Sequence, residues 1–338
     1  MLDLPAPEDS HWKTKLRRID FPGAVVLIGA VLGFLIGFDR GSNVSWTMPL
    51  TIASLSVSAC LFVLFVVVEI YYATEPFAPG HIIFDRGFVA AYGCNFFSFG
   101  GWLSGLFYLP LFFQAVDGVS ATGAGLRLLP SILSGVIGSL FAGFVMKWTG
   151  KYYWLTAAGY ASLTLGLGVI FVFSGAVTNS LVPLILGTVA CAFGNGIGVT
   201  TTLISLSESQ LPYFAACLLI YDVSVSNAAQ EDQAVVTACS YLFRSLGSVI
   251  GLSLSSTVVQ QVLRTRLRDA LRDSKDVDKI VDGVRQSLEF IKTLDPVVAR
   301  IVRDCYGWAT NKGFAFLIGV VFLAFVSSLF IRERNLAR

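Results

Sequence analysis

The chain has 338 residues, of which 55% are apolar and 14% are charged, and its formal net charge is +2 at pH 7. Such a small net charge provides no basic surface for a nucleic acid, so we expect no nucleic-acid partner. The sequence holds two histidines and six cysteines without a CxxC pair, a pattern that predicts neither a metal cluster nor a disulfide framework. Because no nucleophile–base pair stands out either, we expect no cofactor and no enzyme activity.

Eight mostly apolar segments dominate the sequence. They cover residues 21–38, 48–68, 88–116, 124–146, 152–174, 181–206, 234–259 and 313–331. A bilayer core about 30 Å thick takes about 20 helical residues to cross. The segments do not alternate as the strands of a membrane barrel do. The sequence therefore predicts an all-α, polytopic membrane protein with about eight transmembrane helices.

The positions of the positive charges predict the orientation of these helices. A basic cluster from Lys13 to Arg18 places residues 1–20 in the cytosol as an N-terminal segment. Residues 21–72 then form a pair of transmembrane helices, and residues 73–338 form a six-helix bundle. An even number of spans returns the C-terminus to the cytosol.

Two connections inside the bundle are unusual. At residues 207–232 we expect a cytosolic insertion or a re-entrant segment, because its apolar run of about ten residues contains Pro212 and is too short to cross a bilayer. At residues 263–312 we expect an amphipathic, non-cytosolic loop that lies on the membrane or on the bundle, or forms a solvated cap. Its apolar residues recur at helical spacing. They are Leu263, Leu267, Leu271, Val277, Val281, Val284, Leu288 and Ile291.

Arg244 is the most informative single residue, because it lies about ten residues into the seventh apolar segment. A guanidinium there is costly unless it is paired or hydrated. It either faces a water-filled cavity, where it contacts substrate or a partner carboxylate, or it snorkels and locks helices together. By contrast, no acidic residue occupies the centre of a segment. Proton-coupled carriers commonly embed a carboxylate, so this part of such machinery is expected to be absent from the chain.

Other polar residues also lie inside apolar segments, where they can hydrogen-bond a substrate or a neighbouring helix. Together with Arg244 they are our candidates for a substrate pathway. The candidates are Asn95, Ser98, Tyr108, Asn195, Thr201, Tyr241 and Arg244. Glycines four residues apart line one face of the first and of the seventh segment, and such faces of small residues predict close helix packing there. These glycines are Gly29, Gly33, Gly37, Gly247 and Gly251.

Several motifs carry a family resemblance when they are taken together. They are Tyr108-Leu-Pro-Leu-Phe-Phe-Gln-Ala-Val, Ser120-Ala-Thr-Gly-Ala-Gly-Leu-Arg-Leu-Leu-Pro130, Gly143-Phe-Val-Met-Lys-Trp-Thr-Gly-Lys-Tyr, Asp232-Gln-Ala-Val and Tyr241-Leu-Phe-Arg-Ser-Leu-Gly-Ser-Val-Ile-Gly. With them the chain resembles the fourteen-helix drug:proton antiporter branch of the major facilitator superfamily. Within that branch it is most similar to fungal vacuolar basic amino-acid transporters and their multidrug-resistance relatives.

The resemblance implies a fold, an activity and partners. The fold would be the C-terminal half of a major facilitator plus two linker helices, in a chain that lacks the N-terminal six-helix half. The activity would be proton-coupled antiport of small cationic or polar solutes, such as basic amino acids or drugs, across the vacuolar rather than the plasma membrane. The alternatives are a multidrug efflux carrier, and a fragment or regulatory membrane protein that does not transport.

Overall fold

The structure is a computed structural model that describes residues 21–43, 46–71, 86–175, 180–208, 227–271, 280, 283–284 and 290–331. The described chain forms nine helices. They are α1 (Phe21–Asn43), α2 (Pro49–Tyr71), α3 (Arg86–Ala115), α4 (Ala121–Thr149), α5 (Tyr153–Phe173), α6 (Leu181–Glu208), α7 (Asn227–Ala270), α8 (Phe290–Thr293) and α9 (Pro296–Ser328). The predicted N-terminal segment 1–20 and residues 209–226 of the predicted insertion lie outside the described residues.

Eight of these helices, all except the short α8, are long and apolar enough to cross a membrane. Each predicted segment falls on one of them, so the predicted all-α, polytopic fold is confirmed. The last helix begins earlier than its apolar pattern indicates, at Pro296 rather than at residue 313. Asp295 caps it by accepting a hydrogen bond from the Val297 backbone N–H, and Pro296 suits the first helical position. Hydropathy detects only the apolar part of this helix, whereas the capping residues set its start.

The described part of the 263–312 connection packs on the bundle. Helix α7 continues through its first residues to Ala270, so the loop is shorter than predicted. Leu263, Leu267 and Leu271 are buried and belong to the main apolar core. Ile280, Val284 and Ile291 belong to the same core, while Val277, Val281 and Leu288 lie outside the described residues. The described residues of this periodic face therefore pack against the bundle.

The helices associate around two packing centres. Helix α3 packs against α7 and α9, and α9 also contacts α5 and α7. Helix α6 lies between α4 and α5 and contacts both. The pair α1–α2 joins this group through contacts of α1 with α7.

Glycines make these contacts unusually close. A Cβ built on Gly247 of α7 would lie 2.1 Å from the Phe96 carbonyl oxygen of α3, and one on Gly251 would lie 2.2 Å from the Gly100 oxygen. Such distances leave no room for a side chain, so the two backbones touch. Membrane helices gain little from burying apolar surface, because lipid is equally apolar, and close backbone approach replaces that driving force.

The predicted topology can be tested with reporter fusions. A reporter fused at Arg338 and one inserted at position 282 of the long connection should report opposite sides of the membrane, because one span separates them. A fusion at Met1 serves as the control and should match the signal at Arg338. Equal signals at Arg338 and at position 282 would contradict both the orientation and the number of spans.

Candidate functional site

Asn95 ties three helices together in the middle of the bundle. Its Oδ1 accepts hydrogen bonds from the Thr202 hydroxyl of α6 and from Nε of Arg244 of α7, each over 3.2 Å. Its Nδ2 donates to the Ser240 hydroxyl over 3.1 Å. Asn95 and Thr202 are fully buried, so this is a network of polar groups away from water. Such a network fixes the relative positions of α3, α6 and α7 because each of its bonds joins two helices.

Arg244 completes this network, with only 7% of its surface exposed. Its guanidinium carbon lies 5.2 Å from the ring centre of Phe99 and 5.3 Å from that of Tyr241, which is the geometry of cation–π contacts. Nη2 is buried and has no hydrogen-bond partner. Arg244 therefore faces the bundle, where Asn95 and the two rings compensate for the burial of its charge.

A cavity of about 370 Å³ opens beside this network, between α3, α4 and α6. Its wall is mostly apolar, with a few polar groups. It includes Phe99, Trp102, Ser131, Ser139, Asn195 and Val199. Phe99 lines this wall and also makes a cation–π contact with Arg244. The Phe99 side chain therefore links the cavity to the Arg244 guanidinium. An apolar wall with a few well-placed polar groups is typical of small-molecule sites.

An aromatic cluster lies beside the network, towards the first residues of α3. The Tyr92 ring stacks on Phe243 with 5.0 Å between ring centres, and on Phe88 with 6.2 Å. With Leu206 and Val236 these residues form a second apolar core at this end of α3, α6 and α7. The polar network is therefore separated from that end of the bundle by packed rings.

The structure brings some of the predicted pathway residues together and separates others. Asn95 and Arg244 are hydrogen-bonded to each other, and the Tyr241 ring makes a cation–π contact with Arg244. The Ser98 hydroxyl donates to the backbone carbonyl of Asn95 within α3, so this bond does not join it to the side-chain network. Tyr108 lies thirteen residues beyond Asn95 on α3, which is about 20 Å along a helix, so it is remote from the network.

On α6 the residue that joins the network is Thr202, the neighbour of the predicted Thr201. The Thr201 hydroxyl bonds only within its own helix, to Gly198, whereas Thr202 reaches Asn95. Sequence reasoning missed Thr202 and Ser240. Their spacing could have indicated them, because residues one or two turns apart share a face of a helix. Thr202 lies two turns after Asn195, and Ser240 lies one turn before Arg244.

The chemistry of the site suits reversible binding rather than bond cleavage. It offers hydrogen-bond donors and acceptors, aromatic rings and one cation. Among the residues that the structure describes, no group of three or more His, Cys, Asp and Glu could hold a metal ion. The described wall of the cavity also contains no Asp or Glu. A proton-binding carboxylate would therefore have to come from outside this wall.

Comparison with known proteins adds the following. No family model matches the chain. It is 33% identical over 339 aligned positions to a vacuolar membrane amino acid uptake transporter of Schizosaccharomyces pombe, across 99% of this chain and 54% of the relative. It is 31% identical to a multidrug resistance protein of the same yeast, across 94% of this chain and 57% of that protein. Vacuolar basic amino acid transporter 2 of Saccharomyces cerevisiae is 28% identical, across 96% of this chain and 65% of its own length.

These matches run along nearly the whole chain, whereas the chain spans little more than half the length of the first two relatives. Other relatives carry the name of MFS-type, that is major facilitator superfamily, transporters. Transporters are not enzymes, which agrees with the absence of catalytic groupings from the sequence. The chain is thus a membrane-spanning homologue of fungal transporters of the major facilitator superfamily.

Proposed function

We propose that the chain forms one wall of the substrate pathway in a secondary transporter of small cationic or polar solutes. The observation that carries this proposal is the Asn95–Arg244 network, a buried polar cluster at the side of an open cavity in an otherwise apolar bundle. Buried polar and charged groups are costly in a membrane and commonly mark a substrate or ion path. The pathway comprises the candidates Asn95, Ser98, Asn195, Tyr241 and Arg244. We leave out Tyr108, which lies thirteen residues beyond Asn95, and Thr201, whose hydroxyl bonds within α6, and we add Thr202 and Ser240.

A second helical bundle would close this pathway. Helix α4 presents an exposed apolar face beside the cavity, including Ile132 and Val136, which are 58% and 57% exposed. In carriers that work by alternating access, the substrate site lies between two bundles that rock against each other. We propose that a six-helix N-terminal half covers this face and supplies the carboxylate for proton antiport. The share of the relatives that the chain leaves uncovered supports this partner.

Basic amino acids are the first substrate class that we propose, and the vacuolar membrane is the proposed location. The names of two relatives support both assignments, since one is a vacuolar amino acid uptake transporter and the other a vacuolar basic amino acid transporter. Multidrug efflux is the alternative. It is favoured by the aromatic and aliphatic residues of the cavity wall, Phe99 and Trp102 among them, and by the multidrug resistance relative. A regulatory protein that does not transport is the third possibility.

The proposed function predicts that the chain needs a second bundle to transport. We would fuse it behind the part of the Schizosaccharomyces pombe amino acid transporter that it does not cover, and reconstitute the fusion in vesicles with an acidic interior. Uptake of radiolabelled lysine should be saturable and should stop when an ionophore removes the proton gradient. The chain alone is the matched control and should show no gradient-driven flux, because its site has one wall.

Two results would contradict this proposal. A correctly inserted fusion that moves neither lysine nor arginine, histidine or a cationic dye would argue against a transport role. Saturable, proton-dependent uptake by the chain alone would show that one bundle suffices, and a dimer of the chain would become the structure to test.

A further inference from the structure

A groove of about 360 Å³ lies between α4 and α5 near the turn that joins them, and it shares no residue with the cavity beside the polar network. Apolar side chains form most of its wall, and polar groups lie at its end near the turn. The wall comprises Val145, Thr149, Lys151, Trp154, Leu155 and Ala158. Helix α4 ends at Thr149 and α5 begins at Tyr153, so the groove starts where two membrane spans end and continues about one turn into them.

This groove lies on the side of α4 that faces away from the proposed second bundle. Val145 follows Val136 by nine residues, which is two and a half helical turns, so the two side chains point to opposite sides of α4. Val136 belongs to the exposed face that we assign to the N-terminal half, whereas Val145 lines the groove. The groove therefore faces lipid whether or not a second bundle is bound.

Lys151 and Trp154 give the groove a basic and aromatic end. Both side chains are exposed, that of Trp154 to 74%. Within the described residues the Lys151 side chain has neither an ion-pair partner nor a cation–π contact. Tryptophan is enriched where membrane spans reach the lipid head groups, and its indole N–H is a hydrogen-bond donor. A basic side chain at this depth, beside an apolar groove, attracts an anionic head group.

We propose that this groove binds an anionic phospholipid. The lipid phosphate accepts hydrogen bonds from the Lys151 ammonium and the Trp154 indole N–H. One acyl chain lies along the apolar wall formed by Val145, Leu155 and Ala158. Both helices pack on α6, and the lipid fills the space left between their ends. The site is independent of the proposed transport activity, because it contains no residue of the substrate pathway.

Quenching by brominated lipids tests the site, because bromine quenches the emission of a tryptophan that it contacts. The purified chain is reconstituted in phosphatidylcholine bilayers with increasing shares of phosphatidylserine or phosphatidylcholine brominated near the head-group end of one acyl chain. The difference in emission between the wild-type chain and Trp154→Phe isolates the Trp154 signal. Phosphatidylserine should quench this signal at about one fifth of the share that phosphatidylcholine needs, the factor by which one basic residue favours an anionic lipid.

Two variants each remove one part of the site, and each is measured with and without Trp154→Phe. Lys151→Gln should abolish the preference, so that the two brominated lipids quench the Trp154 signal equally. Ala158→Phe keeps the charge but fills the groove, and it should abolish the preference as well. Lys151→Arg should retain the preference, because a guanidinium also donates to phosphate.

Lys147→Gln is the matched control, because it removes the same charge one turn before Lys151. Lys147 lies two residues from Val145 and two from Thr149, which puts it on the opposite side of α4 from the groove. Its substitution should leave the preference for phosphatidylserine as in the wild-type chain. Unchanged quenching by phosphatidylcholine in every variant shows that the helices remain inserted.

Several results would overturn the lipid site. Equal quenching of Trp154 by the two lipids in the wild-type chain, or a preference that survives in Lys151→Gln, would exclude binding of the head group by Lys151. A preference that survives in Ala158→Phe, or that falls equally in Lys147→Gln, would show a general attraction to surface charge instead of a site in the groove. None of these results affects the proposed transport function, which the lysine uptake of the fusion tests separately.

Discussion

Replacing Gly247 by alanine is expected to loosen the contact between α3 and α7 and to destabilise the bundle. The added Cβ would lie 2.1 Å from the Phe96 carbonyl oxygen and 2.8 Å from its carbonyl carbon, and backbone atoms cannot rotate away as a side chain can. The helices must therefore separate locally, which also stretches the Asn95–Arg244 bond between them. Overpacking of this kind costs about 1–3 kcal/mol of the free energy of unfolding. Unfolding of the purified chain in mixed micelles, followed by tryptophan fluorescence, measures this loss.

Gly143→Ala is the matched control for this substitution. A Cβ on Gly143 of α4 would meet no atom within 4 Å, so the same chemical change adds no strain there. Alanine is favoured over glycine inside a helix by about 1 kcal/mol, and Gly143→Ala should be neutral or slightly stabilising. Equal effects at the two positions would contradict the close approach of α3 and α7.

Replacing Asn95 by alanine is expected to be the most damaging polar substitution in the site. It leaves Nε of Arg244 and the Thr202 and Ser240 hydroxyls without their common partner in a buried position. A hydrogen bond to a charged group contributes about 1.5–3 kcal/mol, and we expect the free energy of unfolding to fall by a comparable amount. By contrast, Arg244→Met removes the buried charge together with its need for a partner and should be far less damaging.

A double-mutant cycle tests whether this loss comes from the pair. In the Arg244→Met background Asn95→Ala should cost at least about 1 kcal/mol less than in the wild-type chain, because contacting residues are coupled on that scale. Ser248→Ala is the control partner, since its hydroxyl bonds within α7 and is exposed. Additive effects of Asn95→Ala and Arg244→Met would show that Asn95 contributes through packing alone.

Much of the fold could be predicted from the sequence, because the membrane makes local composition decisive. An apolar segment long enough to cross the bilayer must be helical, since lipid offers no partners for free backbone groups. The eight spans followed from this rule. The C-terminal end of α7 and the start of α9 did not, because they lie outside the apolar segments, where a cap such as Asp295 and contacts such as that of Leu267 with the core set the limits of a helix.

The site could be predicted only in part. Arg244 was evident because a charge inside an apolar segment is unusual in any arrangement of helices. Its partner Asn95 could not be distinguished in the sequence from the other polar residues inside apolar segments, and Thr201 was chosen as a candidate instead of Thr202. Neighbouring threonines on a helix point in directions about 100° apart, so which one reaches Asn95 depends on how α6 is rotated against α3.

The sequence by itself determined that the chain is a helical membrane protein, where its spans lie, and that a cation is placed within the seventh. It also carried the motifs that link it to fungal transporters. The tertiary structure decided that Asn95, Thr202, Ser240 and Arg244 form one network, and that a cavity opens beside it. The physical reason is that membrane insertion depends on the composition of each segment taken alone. A binding site instead depends on the rotation and separation of several helices, which the glycine contacts of α3 and α7 fix only once the helices have packed.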